Sequence, residues 1–195
     1  MTARLTCDYV RNNPIISPIS ALTNLPLPPV PSDLVQELIS YALDDTISLD
    51  QEIKFRHASF DIKEQNNVWQ EWVTENITSN FLRTGIQRIS GGNLAPHKDK
   101  NRNFGLLYLV KAGGSCVTTR FYKPVTDVDP KREVFESKQV EEVVRYQFKE
   151  GTWNLINNKF PHAVIGITED RISLSVDFLS PILPKFISDL MLSTA

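Results

Sequence analysis

The stretch FLRTGIQRI at residues 81–89 begins the half of the chain that decides the fold. Six more short runs rich in β-branched and aromatic residues follow it, and turn-forming pairs such as Gly113-Gly114 and Asn157-Asn158 separate them. These runs cover residues 104–110, 117–122, 140–148, 153–156, 162–167 and 172–178. So many short strands in succession predict an antiparallel sandwich or barrel.

The residues before this half have a different pattern. Six of the twelve prolines lie between positions 14 and 31, which excludes a regular helix and predicts an extended, Pro-rich arm over residues 1–31. Apolar residues at helical spacing predict two helices, over residues 33–43 and 66–80. We therefore expect one domain, residues 1–195, of mainly β or α+β class. Helical support at 32–80 would pack outside a β core at 81–178, and a C-terminal segment would follow at 179–195.

The composition is that of an ordinary globular protein. The chain has 21 basic and 23 acidic residues, a net charge of -2, so no bulk positive charge attracts nucleic acid, which we do not expect as a partner. No apolar run approaches the roughly 20 residues that span a bilayer, and the first residues lack the apolar core of a signal peptide. We expect a cytoplasmic protein without membrane association, and the sequence leaves its oligomeric state open.

Two of the three histidines lie in short polar interruptions of the β-rich half. In GGNLAPHKD, residues 91–99, His97 and Asp99 are two positions apart, so in an extended segment their side chains share a face. His162 begins another predicted strand 65 residues after His97. Two imidazoles and one carboxylate are the ligand set of non-haem Fe(II) sites that keep other coordination positions open. The alternative interpretation is a surface histidine beside a surface aspartate.

An arginine and a serine follow His162 on one face of the last predicted strand. Arg171 and Ser173 lie in RISLS, residues 171–175, where a guanidinium beside a hydroxyl would suit the carboxylate of a ligand. An interior arginine without an anionic partner would be costly. The alternative interpretation is an ion pair between Arg171 and Asp170 or Asp177.

These motifs, in this order, resemble the Fe(II)/2-oxoglutarate-dependent dioxygenase superfamily, whose core is a double-stranded β-helix, or jelly roll. His97 and Asp99 match the HxD motif of that superfamily, and His162 matches its distal histidine. Arg171 and Ser173 match its RxS co-substrate motif. Residues 101–109, NRNFGLLYL, followed by two glycines, are similar to the prolyl-hydroxylase-like branch. The resemblance to that branch implies that Tyr108 hydrogen-bonds the distal carboxylate of 2-oxoglutarate.

The resemblance also implies a reaction. Fe(II) would be held by His97, Asp99 and His162, and 2-oxoglutarate would chelate the iron and meet Arg171 and Ser173. With O2, and with ascorbate as a possible supporting reductant, the enzyme would hydroxylate a peptide or a small molecule and release succinate and CO2. Three residues near the predicted mouth are candidates for contact with that substrate: Arg88, Asn93 and Arg102. Either Gln87 or Arg88 must face the interior, because neighbours on a strand point to opposite faces.

Two other functions fit the same fold. One is a catalytically silent, cupin-like module that binds a metal or a ligand without turnover. The other is a Zn or Mn protein with non-oxidative chemistry. Neither would need Arg171 and Ser173 beside the metal ligands, and this difference favours the oxygenase.

Overall fold

The structure is a computed structural model that describes residues 20–44, 51–52, 55–60, 68–90, 92–99, 102–125, 133–178 and 185–193. Most of the predicted arm, residues 1–19, lies outside the described residues. Cys7 lies there too. Cys116 is an exposed cysteine that forms no disulfide among the described residues. Among the described residues no helix has the length and the hydropathy to cross a lipid bilayer.

The described strands form two antiparallel sheets. Their bounds are β1 Ala21–Leu25, β2 Gln51–Glu52, β3 Phe55–Phe60, β4 Arg83–Ser90, β5 Leu94–His97, β6 Phe104–Lys111, β7 Thr118–Pro124, β8 Val140–Tyr146, β9 Trp153–Asn157, β10 His162–Ile165 and β11 Arg171–Phe178. One sheet has the order β1-β9-β6-β11-β4-β3-β2, and the other has the order β5-β10-β7-β8. The two sheets share a cavity, whose walls come from both. The predicted class, a mainly β jelly roll, is confirmed.

Helices cover the outer face of the seven-stranded sheet. They are α1 Ser32–Leu43, α2 Val68–Asn76 and α3 Lys185–Ser193. One buried cluster joins Leu38 of α1, Trp69 of α2 and Ile187 of α3 to Leu174 of β11. Apolar residues at helical spacing on each helix explain this packing, because they form one stripe that must leave water. The helices therefore pack outside the β core, as the sequence predicts.

The elements differ in detail from the predicted ones. Strand β1 forms inside the predicted arm and pairs with β9, while β3 forms inside the predicted helical support and pairs with β4. The prolines of the predicted arm lie outside β1. This strand is also at the edge of its sheet, a position where a residue without an N–H is tolerated. Helix α2 ends at Asn76, four residues before the predicted end at residue 80, since the N–H of Thr78 donates to the carbonyl of Val73 and closes the last turn. The first two residues of the predicted helix, 66–67, lie outside the described residues.

Candidate metal centre

The three predicted ligand residues come together at one end of the four-stranded sheet. His97 ends β5 and is paired in register with His162, which begins β10. Their ring centroids are 4.4 Å apart. Asp99 follows β5 by two residues, and one ligand atom from each of the three side chains lies within 4.8 Å of the others. Pairing of two strands that are distant in sequence thus assembles a set of two imidazoles and one carboxylate.

Backbone carbonyls fix both imidazoles in the same tautomer. Nδ1 of His97 lies 2.9 Å from the carbonyl oxygen of Ala95, and Nδ1 of His162 lies 2.9 Å from that of Phe160. A carbonyl oxygen only accepts, so each Nδ1 carries the hydrogen and each Nε2 keeps its lone pair for a cation. Burial, together with the nearby His97, lowers the pKa of His162 to about 4. His162 is therefore neutral at neutral pH, the form that binds a metal.

Asp99 supplies a carboxylate whose two oxygens have different surroundings. Oδ2 accepts a hydrogen bond of 2.7 Å from Nε of Arg102, whereas Oδ1 lies 3.7 Å from Nε2 of His97. Burial acts to raise the pKa of Asp99, but the charge of Arg102, the two nearby histidines and the hydrogen bond from Arg102 together outweigh it and leave the pKa below its usual value. Asp99 is therefore ionised. Two imidazoles and a carboxylate suit a divalent transition-metal ion.

The candidate metal centre opens into a cavity between the two sheets. Its apolar walls are formed by Ile89, Leu94, Leu107, Ile156 and Val164. Arg171 and Ser173 of β11 also line it, at exposures of 5% and 4%. The predicted receptor pair and the predicted metal ligands therefore face the same space.

Arg171 is a buried cation without a carboxylate partner among the described residues. Its Nη1 donates to the carbonyl of Ala112 at 3.3 Å, and burial lowers its pKa to about 10. The two aspartates that the sequence offered are engaged elsewhere. Asp170 pairs with Arg88 at 3.0 Å, and Asp177 pairs with two other arginines at 2.7 and 2.8 Å. The guanidinium is thus left to face the cavity.

Gly113 allows the loop after β6 to pack against Arg171. It has a φ of +84°, and a Cβ at this position would lie 2.8 Å from Cβ of Arg171. Its carbonyl accepts hydrogen bonds from the N–H groups of Thr168 and Glu169, just before β11. Only glycine fits this conformation and this distance without strain. The Gly-Gly pair in the sequence therefore shapes the surroundings of Arg171.

Two of the predicted residues lie on the opposite faces of their strands. Tyr108 packs against Trp153 at a centroid distance of 5.2 Å, within the cluster under the helices. Its neighbour Leu107 is the one that lines the cavity. Arg88 donates to the carbonyl of Ala42 and to Asp170, likewise outside the cavity. The prediction that Tyr108 and Arg88 face a ligand is corrected, because side chains alternate along a strand.

The remaining candidates have structural partners. Oδ1 of Asn93 accepts from the N–H groups of Gly166 and Ile167, so this side chain holds a loop. Arg102 does line the cavity, but its guanidinium is bound to two aspartates.

Two polar residues line the cavity besides the predicted ones: Gln87, which the sequence left open as the alternative to Arg88, and Thr119, which it did not identify. Gln87 lines the cavity in place of its neighbour Arg88, and Thr119, 3% exposed, lines it from β7 of the other sheet. Because side chains alternate along a strand, the sequence restricts the interior-facing residue at this point of β4 to Gln87 or Arg88. The sequence does not identify Thr119, because Thr118 and Thr119 are adjacent and identical and the pattern does not say which of them faces the cavity.

No family model and no curated protein matches this sequence. Among solved structures, the non-heme alpha ketoglutarate dependent epimerase SnoN from nogalamycin biosynthesis is similar at 12% identity and a TM-score of 0.56, over 87% of this chain and 82% of that one. Its complex with Fe3+, alpha ketoglutarate and nogalamycin RO is similar at 13% identity and a TM-score of 0.52, over 87% and 83%.

Weaker likenesses include a Pseudomonas putida prolyl-4-hydroxylase, at 13% identity and a TM-score of 0.43, over 82% of this chain and 91% of that one. Vicilin from Corylus avellana is similar at 13% identity and a TM-score of 0.39, over 68% and 31%. At such identities the likeness to SnoN shows the fold, a double-stranded β-helix, and no activity.

Proposed function

We propose that this protein is an Fe(II)- and 2-oxoglutarate-dependent oxygenase that hydroxylates a peptide or a small molecule. The observation that carries the proposal is the buried guanidinium of Arg171, which has no carboxylate partner among the described residues and faces the cavity that holds the triad. A buried cation of this kind is costly unless a ligand supplies the anion. The distal carboxylate of 2-oxoglutarate is such an anion.

Each polar group of the cavity has a task in this function. His97 and His162 would hold Fe(II) through Nε2, and Asp99 through a carboxylate oxygen. Arg171 would bind the distal carboxylate of 2-oxoglutarate by a charge-assisted contact, with hydroxyls of Ser173 and Thr119 as further donors. When bound, iron and 2-oxoglutarate supply the oxidative chemistry, in which O2 converts 2-oxoglutarate to succinate and CO2 and hydroxylates the substrate. The apolar walls would exclude water from this space.

The alternative is a catalytically silent, cupin-like binding module. Such a module could keep the triad and the metal, but it has no use for an unpartnered arginine in the same cavity. The two functions differ in whether 2-oxoglutarate is consumed.

The test combines absorption with product analysis. Protein freed of metal is titrated with Fe(II) and 2-oxoglutarate under anaerobic conditions, and a weak visible charge-transfer band is expected from the chelate. Oxygen and ascorbate are then admitted and succinate is measured. Asp99→Ala should lose both signals because one of the three protein ligands is gone. Asp189→Ala is the control, since Asp189 lies on α3 and pairs with Lys185. No band and no succinate from the unmodified protein would contradict the proposal and favour the binding module.

A further inference from the structure

Arg102 lies between two carboxylates behind the metal centre. Its Nε donates to Oδ2 of Asp99 and its Nη1 donates to Oδ1 of Asp177, both at 2.7 Å. The side chain of Arg102 is 12% exposed and that of Asp177 is 1% exposed. Charge-assisted hydrogen bonds this short and this well buried fix the orientation of both carboxylates.

Oδ2 of Asp99 has a second donor. With its amide oriented to satisfy both of its partners, Asn158 donates from Nδ2 to Oδ2 at 3.1 Å and accepts from the N–H of Gly105 at 3.1 Å. Asn158 is fully buried. Oδ2 is therefore held by Arg102 and Asn158, whereas Oδ1 lies 3.7 Å from Nε2 of His97.

The surroundings keep this arrangement rigid. In the orientation that satisfies its amide, Gln87 accepts from Nη1 and Nη2 of Arg102 at 2.8 and 3.1 Å. Arg83 donates to the other oxygen of Asp177 at 2.8 Å. A Cβ at Gly105 would lie 3.0 Å from the amide atom of Asn158 that faces Gly105, so glycine leaves the space that this amide needs. Each donor of the Asp99 carboxylate is thus itself held in place.

We propose that Arg102, assisted by Asn158, is a positioning residue that restricts Asp99 to one metal-binding oxygen. The inference rests on the metal-binding role proposed above. An octahedral ion held by one atom each from His97, Asp99 and His162 keeps three positions open. Two of these suit the chelating 2-oxoglutarate and the third suits O2. A second oxygen from Asp99 would take that third position.

The consequence is a separation of binding from turnover. Without Arg102, Oδ2 keeps only the longer, uncharged hydrogen bond from Asn158 and can turn to the metal, so 2-oxoglutarate would still bind while reaction with O2 would fail. A buried ion pair with a purely structural role predicts something else, namely loss of stability with the metal coordination unchanged.

The test compares Arg102→Gln and Arg102→Lys with Arg83→Gln as the matched control. Arg83 binds the same Asp177 but does not contact Asp99, so its loss removes one charge from the network and leaves Oδ2 held. The readouts are crystal structures of the Mn(II)-loaded proteins, the visible absorption of their Co(II) forms, and 2-oxoglutarate affinity by calorimetry. If Arg102→Gln does not fold, Asn158→Ala removes the other hydrogen bond to Oδ2 and tests the same inference.

In the unmodified protein and in Arg83→Gln we expect one Asp99 oxygen on the metal and the same Co(II) spectrum. Arg102→Gln should bring both oxygens to the metal, change the Co(II) spectrum, keep 2-oxoglutarate affinity within about threefold and slow its O2-dependent consumption at least about tenfold. Arg102→Lys should recover part of the unmodified spectrum, because it keeps the charge but lacks the planar fork.

Folded Arg102 and Asn158 variants with the unmodified coordination would overturn the inference while leaving the oxygenase proposal intact. Failure of the unmodified protein to bind Mn(II) or Co(II) would overturn both.

Discussion

The Arg171→Met variant should make the metal-free protein more stable and the metal-loaded protein a poorer receptor for 2-oxoglutarate. Arg171 is 5% exposed, so its charge has lost most of its contact with water. A single hydrogen bond of 3.3 Å, to the carbonyl of Ala112, partly compensates this loss. Methionine has a similar length and no charge to bury. The same substitution therefore removes a cost of folding and a contact with the ligand.

The magnitudes follow from the pKa of Arg171. Burial lowers it well below its usual value, to about 10, and at about 1.36 kcal/mol per pKa unit the buried charge costs roughly 3 kcal/mol. The lost hydrogen bond offsets about 1 kcal/mol of this. A net gain of about 2 kcal/mol should raise the Tm by roughly 4–8 °C in a chain of this length. A charge-assisted contact is worth about 1.5–3 kcal/mol, so 2-oxoglutarate affinity should fall roughly 10- to 150-fold.

The assays are thermal unfolding of the metal-free protein and calorimetric titration of the Mn(II)-loaded protein with 2-oxoglutarate. Arg88→Met is the matched control. Arg88 lies on the adjacent strand β4 at 11% exposure, and it is paired with Asp170 and with the carbonyl of Ala42. Its loss should lower stability and leave the affinity unchanged. A less stable Arg171→Met variant with unchanged affinity would refute the argument and make Arg171 a structural residue.

Further variants compare the cavity with its surroundings. Thr119→Val should weaken 2-oxoglutarate binding roughly two- to tenfold in calorimetry, while Tyr108→Phe, on the other face of its sheet, should not; equal losses would contradict this. Gly113→Ala should weaken binding too, because its methyl group would meet Arg171, and unchanged affinity would argue against that contact. His162 has a pKa of about 4 when folded against 6.5 otherwise. Between these values the unfolded metal-free chain binds more protons, so stability should rise with pH and level off above 6.5. In denaturant titrations at several pH values, the stability of His162→Gln should not show this rise with pH. If its pH profile is the same as that of the unmodified protein, the rise comes from other groups.

The sequence by itself determined the class of fold and the chemical types in the site. Seven runs with turn signals predicted β4, β6, β7, β8, β9, β10 and β11, and helical spacing over residues 33–43 predicted α1. Local composition carries this information, because turns and periodicity are properties of neighbouring residues. The spacing within HxD and RxS also put side chains on shared faces without any knowledge of the tertiary structure.

Tertiary structure alone decided which face of a strand meets the cavity. In FGLLYLV, residues 104–110, both faces are apolar, so alternation in sequence gives no sign of which one is inside. A shift by one residue exchanges the faces. The resemblance to the prolyl-hydroxylase-like branch pointed to Tyr108, but the folded chain places its neighbour Leu107 in the cavity wall. The same uncertainty exchanged Arg88 for Gln87 on β4.

Tertiary structure also decided the partner of every buried charge. Arg171 has two aspartates close in sequence, yet Asp170 pairs with Arg88, 82 residues away, and Asp177 pairs with Arg83, 94 residues away. Arg102 bridges Asp99, three residues before it, and Asp177, 75 residues after it. Strand pairing brings residues that are far apart in the sequence next to each other. The sequence shows which residues are charged but not which strands will be adjacent. The guanidinium of Arg171, without a carboxylate partner in the part of the chain that the structure describes, and the held oxygen of Asp99 are therefore properties of the folded chain.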